Sequence, residues 1–190
     1  MPNTMGMMGM SEEQGEQFMR FAAERMGVLE IAENLGEHGL MAHWPPHVRL
    51  RMLGGLMTTR GSGYEHFGFQ LAQIEEDHRG PTLRFTTPDG PAWLDPEWQL
   101  DHMAPVPLPE RLLRDEGWHA DASRWLGGLN RDPRFRSIVL DLVLGCLPGQ
   151  TARGGAVQDL LDRGYYCCGF NGFVIASDDQ AVVMFHGMFC

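Results

Sequence analysis

Residues 164–190 read GYYCCGFNGFVIASDDQAVVMFHGMFC, and the way this stretch pairs with itself decides the fold. Its apolar residues come in strand-length runs separated by turn formers. Asn171-Gly172 is the strongest short hairpin signal available, because both residue types accept the positive φ of a tight two-residue turn. A turn there sets Phe170 opposite Phe173, Cys168 opposite Ile175 and Cys167 opposite Ala176. A second two-residue turn at Asp178-Asp179 returns a third strand, with Val182 beside Ile175 and Met184 beside Phe173. One face of this antiparallel meander then carries Cys168, Phe173, Ile175, Val182 and Met184, and the other carries Cys167, Val174, Ala176, Val183 and Phe185. Both faces are apolar, which calls for cover on two sides, by helices or by helices and a partner chain.

The same register bears on chemistry. Cys167, Cys168 and His186 are the residues of this stretch that a cysteine hydrolase or transferase would use, the thiol attacking and the imidazole acting as base. In the expected pairing His186 lies four residues beyond the row of Cys168, about 13 Å away at about 3.3 Å per residue, which is too far for a hydrogen-bonded dyad. Adjacent cysteines also point to opposite faces of a strand, and no C-x-x-C spacing accompanies them, so no structural zinc site is expected. Core thiols are the simpler expectation. His119 and His66 are alternative bases in the catalytic reading.

Upstream, Ser11 and Gln14 form a capping-box pattern, and Phe18, Phe21, Ala22, Leu29, Ala32 and Leu35 recur at helical spacing until Gly36, so a long amphipathic helix is expected. Glu13, Glu16, Glu24 and Glu30 decorate its polar side as a face for a basic protein partner. A second helix begins near Pro46, with Val48, Leu53, Leu56 and Met57 facing inward. Residues 64–90 switch to alternation, with Phe67, Phe69 and Leu71 before the turn-forming Asp77-His78-Arg79-Gly80 and Leu83 and Phe85 after it, predicting a central β-hairpin. A short helix follows Asp95-Pro96, and the proline-rich stretch 103–109 reads as an internal hinge. Asp132-Pro133 opens the clearest helix of the chain, with Phe135, Ile138, Val139, Leu142, Val143 and Cys146 on one stripe. A further helix is expected around Val157, Leu160 and Leu161.

Composition removes several functions. The sequence contains no lysine, all 15 basic residues being arginine. Schiff-base and pyridoxal-phosphate enzymes, Walker-type nucleotide sites and protein kinases, which depend on a lysine ammonium, are therefore not expected. Gly149 and Gly154 have Walker spacing, but Gly155 and Ala156 stand where lysine and hydroxyl are required. A loose glycine turn at the start of a helix, with Arg153 beside it, is the reading of that segment. The formal net charge of -10 opposes phosphate backbones and anionic lipid surfaces. No apolar run is long enough to span a bilayer. His43 and His47 are separated by two prolines, which prevent the continuous helix that would align them on a metal.

These features predict an α+β chain in which helices pack on a C-terminal three-stranded antiparallel meander, with a separate central β-hairpin. Residues 1–10 form a flexible Met/Gly-rich tail and 11–190 a single domain. The expected function is an acidic, non-catalytic protein-interaction module, such as an inhibitor, an immunity-like factor or an assembly subunit. The alternative is the cysteine/histidine hydrolase or transferase described above. No cofactor, metal, nucleic acid or membrane is expected, the four cysteines fit a reducing cytoplasmic setting, and the apolar faces admit a homo-oligomer.

Overall fold

In the computed structural model, the structure describes residues 27–36, 38–39, 41–58, 65–78, 80–85, 106–108, 110–128, 131–149, 152–157 and 170–188. Among these lie four α-helices: α1 (Val28–Leu35), α2 (Pro46–Thr58), α3 (Trp118–Gly127) and α4 (Pro133–Leu144). The strands are β1 (Glu65–Asp77), β2 (Gly80–Phe85), β3 (Val106–Pro107), β4 (Arg153–Ala156), β5 (Phe170–Ala176) and β6 (Gln180–Met188). The chain is α+β, as its sequence predicts. Its strands form one antiparallel sheet in the order β3-β2-β1-β6-β5-β4.

This order corrects the expected arrangement. The central hairpin is not separate, because β1 is long enough to pair with β2 through its second half and with β6 through its first. Phe69 faces Met184 and Leu71 faces Val182. The C-terminal strands are likewise not a three-stranded meander. Only the Asp178-Asp179 hairpin forms, placing Val182 opposite Ile175 and Met184 opposite Phe173 as expected. The Ser177 amide and hydroxyl both donate to the Gln180 carbonyl, at 2.8 and 3.1 Å, and the Ile74 amide of β1 donates to the Asp179 carbonyl at 2.9 Å.

Asn171-Gly172 is not a turn at all. Both residues lie inside β5, opposite His186 and Phe185. A physical reason is visible in the neighbours of Phe185, which faces Gly172 on one side and Gly68 of β1 on the other. A Cβ on Gly68 would strike the Phe185 ring. A glycine inside a strand serves such a close approach as well as it serves a turn. The second flank of β5 is taken by β4, which pairs Arg153 with Ala176 and Ala156 with Phe173. Residues 153–156 are therefore a strand and not a glycine turn, and Val157 continues from that strand, its amide donating to the Gly172 carbonyl at 2.9 Å. It does not begin the helix expected there.

The faces of the sheet follow the predicted alternation. Phe69, Phe173, Ile175, Val182 and Met184 pack in one core with the inner residues of the four helices, among them Ile31, Leu53, Leu126 and Val139. Ala72, Leu83, Val174, Val183 and Phe185 form a second core on the opposite face, together with Leu108 and Val157. The helices obey their sequence signals where those signals are local. Asp132 caps α4 by accepting from the Arg134 amide at 2.9 Å, and Pro133 occupies the first turn. α2 starts at Pro46 and buries Leu50, Leu53 and Leu56.

The long N-terminal helix is corrected. Gly27 has φ 93° and ψ 141°, outside any helical conformation, so α1 starts afresh at Val28. Within the stretch read as a hinge, Val106 and Pro107 form β3, opposite Leu83 and Thr82, while 103–105 and 109 lie outside the described residues. The expected tail at 1–10, the helix after Asp95-Pro96 and the residues Leu160 and Leu161 lie outside the described residues. No helix among the described residues is long and apolar enough to cross a membrane.

Candidate functional site

The sequence-predicted thiol site is only partly described. Cys167, Cys168 and Cys190 fall outside the described residues. His186 lies on β6 between Phe67 and Asn171. The 13 Å separation expected between Cys168 and His186 assumed a turn at Asn171-Gly172, and with that turn absent the estimate no longer applies. His119 is exposed on α3 and touches Trp118, their ring centroids 5.4 Å apart. The side chain of His66 is not described. No group of three or more histidine, cysteine, aspartate or glutamate side chains among the described residues could hold a metal ion.

Cys146 occupies the core stripe expected of it. It is free and buried just past α4, and its thiol lies 3.8 Å from the Pro46 carbonyl. Burial pushes the thiol up to about 11, and the Arg49 guanidinium beside it pulls it only part of the way back. Arg49 is itself only 8% exposed, and its Nε has no hydrogen-bond partner. The Cys146 thiol is thus held neutral and supplies no nucleophile near neutrality.

This has a measurable consequence with a definite sign. The folded pKa is raised above the unfolded value of 9.0, so the contribution is fully present below about pH 9 and is lost as pH rises toward about 11. Urea titrations across that window are expected to show stability falling in the wild type and falling less in Cys146→Ala. With no lysine in the chain, ammonium titration does not obscure the comparison. Identical pH slopes for the two proteins would remove Cys146 from the account.

Of the predicted acidic face, Glu30 is exposed on α1, whereas Glu13, Glu16 and Glu24 lie outside the described residues. The neighbouring Glu33 pairs with Arg134 of α4 at 3.1 Å, so part of this acidic side ties two helices of the chain together. The pair is well exposed, and such pairs contribute little to stability.

A different site emerges at the far edge of the sheet. The chain turns through a short 3-10 segment, Glu110–Leu112, before Arg114 pairs with Gly154 of β4. Their amides and carbonyls exchange two hydrogen bonds of 2.9 and 3.1 Å. α3 then packs over β4 from the helical face. Two adjacent glycines admit close neighbours on either side of β4: a Cβ on Gly154 would meet the Trp118 side chain of α3 at 3.1 Å, and one on Gly155 would strike the Leu112 carbonyl of the 3-10 segment. Between α3, the 3-10 segment and β4 lies a cleft of about 390 Å³.

Three arginines line it, Arg111, Arg114 and Arg124, against a single acidic residue, Asp121. Trp125, Leu112, Ala156 and Phe173 supply the apolar part. Asp121 accepts from Arg124 at 2.8 Å and from Arg114 at 3.4 Å, which holds two guanidiniums at the rim. Arg111 has no ion pair or hydrogen-bond partner among the described residues. A concave basic surface in a chain of net charge -10 is a local reversal of the overall field. Sequence reasoning missed it because its arginines are spread over 111–124 and meet the glycines only through tertiary pairing. The available signal was RGGA at 153–156, two glycines adjacent in a short segment that ends in Val157.

Compared with protein-family models, with characterised proteins and with solved structures, the chain gives no match. The functional reading rests on the residues themselves.

Proposed function

We propose that this chain is a non-catalytic protein-interaction module. The observation that carries the reading is the cleft between α3 and β4, where Arg111, Arg114, Arg124 and Trp125 converge on an edge strand. Arginine and tryptophan are the side chains that most often dominate the energetics of protein interfaces, because they combine contact area with directional donors. Their collection in one concavity supports recognition of another chain. The proposal includes the acidic stretch of Glu13, Glu16, Glu24 and Glu30 as the surface that would meet a basic partner.

Association kinetics separate the two surfaces. With a partner isolated on the full chain, the double variant Arg111→Gln/Arg124→Gln is expected to slow association and raise the dissociation constant by about tenfold or more. Its melting temperature should change little, since Arg124 is 78% exposed and exposed ion pairs are weak. Loss of binding only in Glu24→Arg/Glu30→Arg would move the contact to the acidic stretch. Unchanged binding in both, or turnover abolished by Cys168→Ala, would overturn the interaction reading.

A further inference from the structure

The cleft has a backbone feature as well as a charged one. In β4 the hydrogen-bonding direction alternates. The Val157 amide donates to Gly172 of β5, whereas Gly154 turns outward and exchanges both its hydrogen bonds with Arg114. Ala156 is two residues from Gly154 and therefore also directs its N–H and C=O outward. Beyond Arg114, however, the opposing chain has coiled into the Glu110–Leu112 turn, whose Leu113 amide is spent on the Glu110 carbonyl at 2.9 Å. The ladder started by Arg114 and Gly154 thus stops one pair short. Among the described residues Ala156 has no backbone partner on that side, and the open position is the floor of the arginine-lined cleft.

We infer that the cleft binds an extended acidic segment of a partner protein by strand addition to β4, with Ala156 supplying backbone hydrogen bonds and Arg111, Arg114 and Arg124 receiving glutamate or aspartate side chains. This rests on the interaction reading above and names the partner's chemistry. An unpaired edge position is a template for an incoming strand. Alternate side chains of such a strand point to the same side, so acidic residues at every second position present repeated negative charge to the three arginines lining the cleft. Arg111, which has no partner among the described residues, needs no existing ion pair broken to receive a carboxylate. Arg114 and Arg124 already share Asp121, whose two contacts hold their guanidiniums at the rim before any ligand arrives.

The probe is an acetylated, amidated peptide of alternating valine and glutamate, titrated against the full chain and followed by backbone amide and arginine Nε–H resonances. Saturable shifts at Ala156, Arg111 and Arg124 are expected, with affinity falling about tenfold between low and high salt as screening grows. Arg111→Gln is expected to weaken binding about tenfold, in line with a charge-assisted contact. Replacing glutamate by glutamine in the peptide should do the same or more. Methylating the backbone nitrogens of the peptide, or Ala156→Pro in the protein, should abolish binding. Among the described residues the Ala156 N–H serves no backbone bond, and proline is tolerated on an outward edge.

Binding by the glutamine peptide as strong as by the glutamate peptide overturns the charge recognition. Undiminished binding of the methylated peptide overturns strand addition, as does a response of free glutamate equal to that of the peptide. If no peptide binds but Arg111→Gln/Arg124→Gln still weakens a protein partner, this inference falls while the interaction module stands.

Discussion

A chain ended at Asp179 is expected to lose its cooperative thermal transition. The missing segment is β6, which lies between β1 and β5 and is the only strand connecting them among the described residues. Without it the sheet divides into β3-β2-β1 and β5-β4, and each part keeps an apolar edge. Val182, Val183, Met184 and Phe185 are each at most 1% exposed and serve both cores. Such side chains contribute about 1.5 to 3 kcal/mol apiece, which together reach the margin of about 5 to 15 kcal/mol by which a domain is folded. Circular dichroism should show no sigmoidal melt and dye binding should report exposed apolar surface. A truncated protein that melts cooperatively near the wild-type temperature would show that the two parts are independent.

The largest effect of a single substitution is expected at Phe185. Its ring is 1% exposed and fills the second core above Gly68. Phe185→Ala should cost about 3 to 5 kcal/mol, the transfer loss plus the cavity left behind. Gly68→Ala should cost about 1 to 3 kcal/mol in the wild type, because its methyl enters space the ring occupies. In the Phe185→Ala background the same methyl enters the cavity, and the cost should vanish or change sign. A coupling above about 1 kcal/mol in the double-mutant cycle, measured by urea denaturation, is the expected result. Additive effects would show that Gly68 and Phe185 do not face each other.

What was legible in the sequence and what was not divides along sequence separation. The Asp178-Asp179 hairpin could be read because alternating apolar residues lie on both sides of two turn formers, which determines register without reference to the rest of the chain. α4 could be read because its cap, its first-turn proline and its apolar stripe are contiguous. The hairpin of β1 and β2 followed from the same kind of local signal. The Asn171-Gly172 turn was overridden because β5 gains neighbours on both flanks, β4 and β6, and its glycine lies opposite Phe185. Pairing of β1 with β6 joins residues more than a hundred positions apart, and nothing in either segment names the other.

The candidate site was illegible for the same reason. Of its parts only Gly154 and Gly155 have a local reading, as a turn; Arg111, Arg114, Arg124 and Trp125 belong to no motif, and α3 itself is not predicted. Only the bridge between Arg114 and Gly154 assembles them. The acidic stretch, by contrast, was conspicuous in the sequence, and Glu30 is exposed as expected.

The continuous sheet underlies both the two cores and the position of the cleft at its edge, and it is tested most directly by cross-strand nuclear Overhauser effects in the uniformly labelled full-length protein. The account predicts a ladder of backbone contacts connecting residues 67–73 with 180–186 in antiparallel order, Phe69 near Met184 and Leu71 near Val182, alongside the contacts within residues 170–188. Contacts confined to residues 170–188, with none reaching residues 67–73, would contradict it.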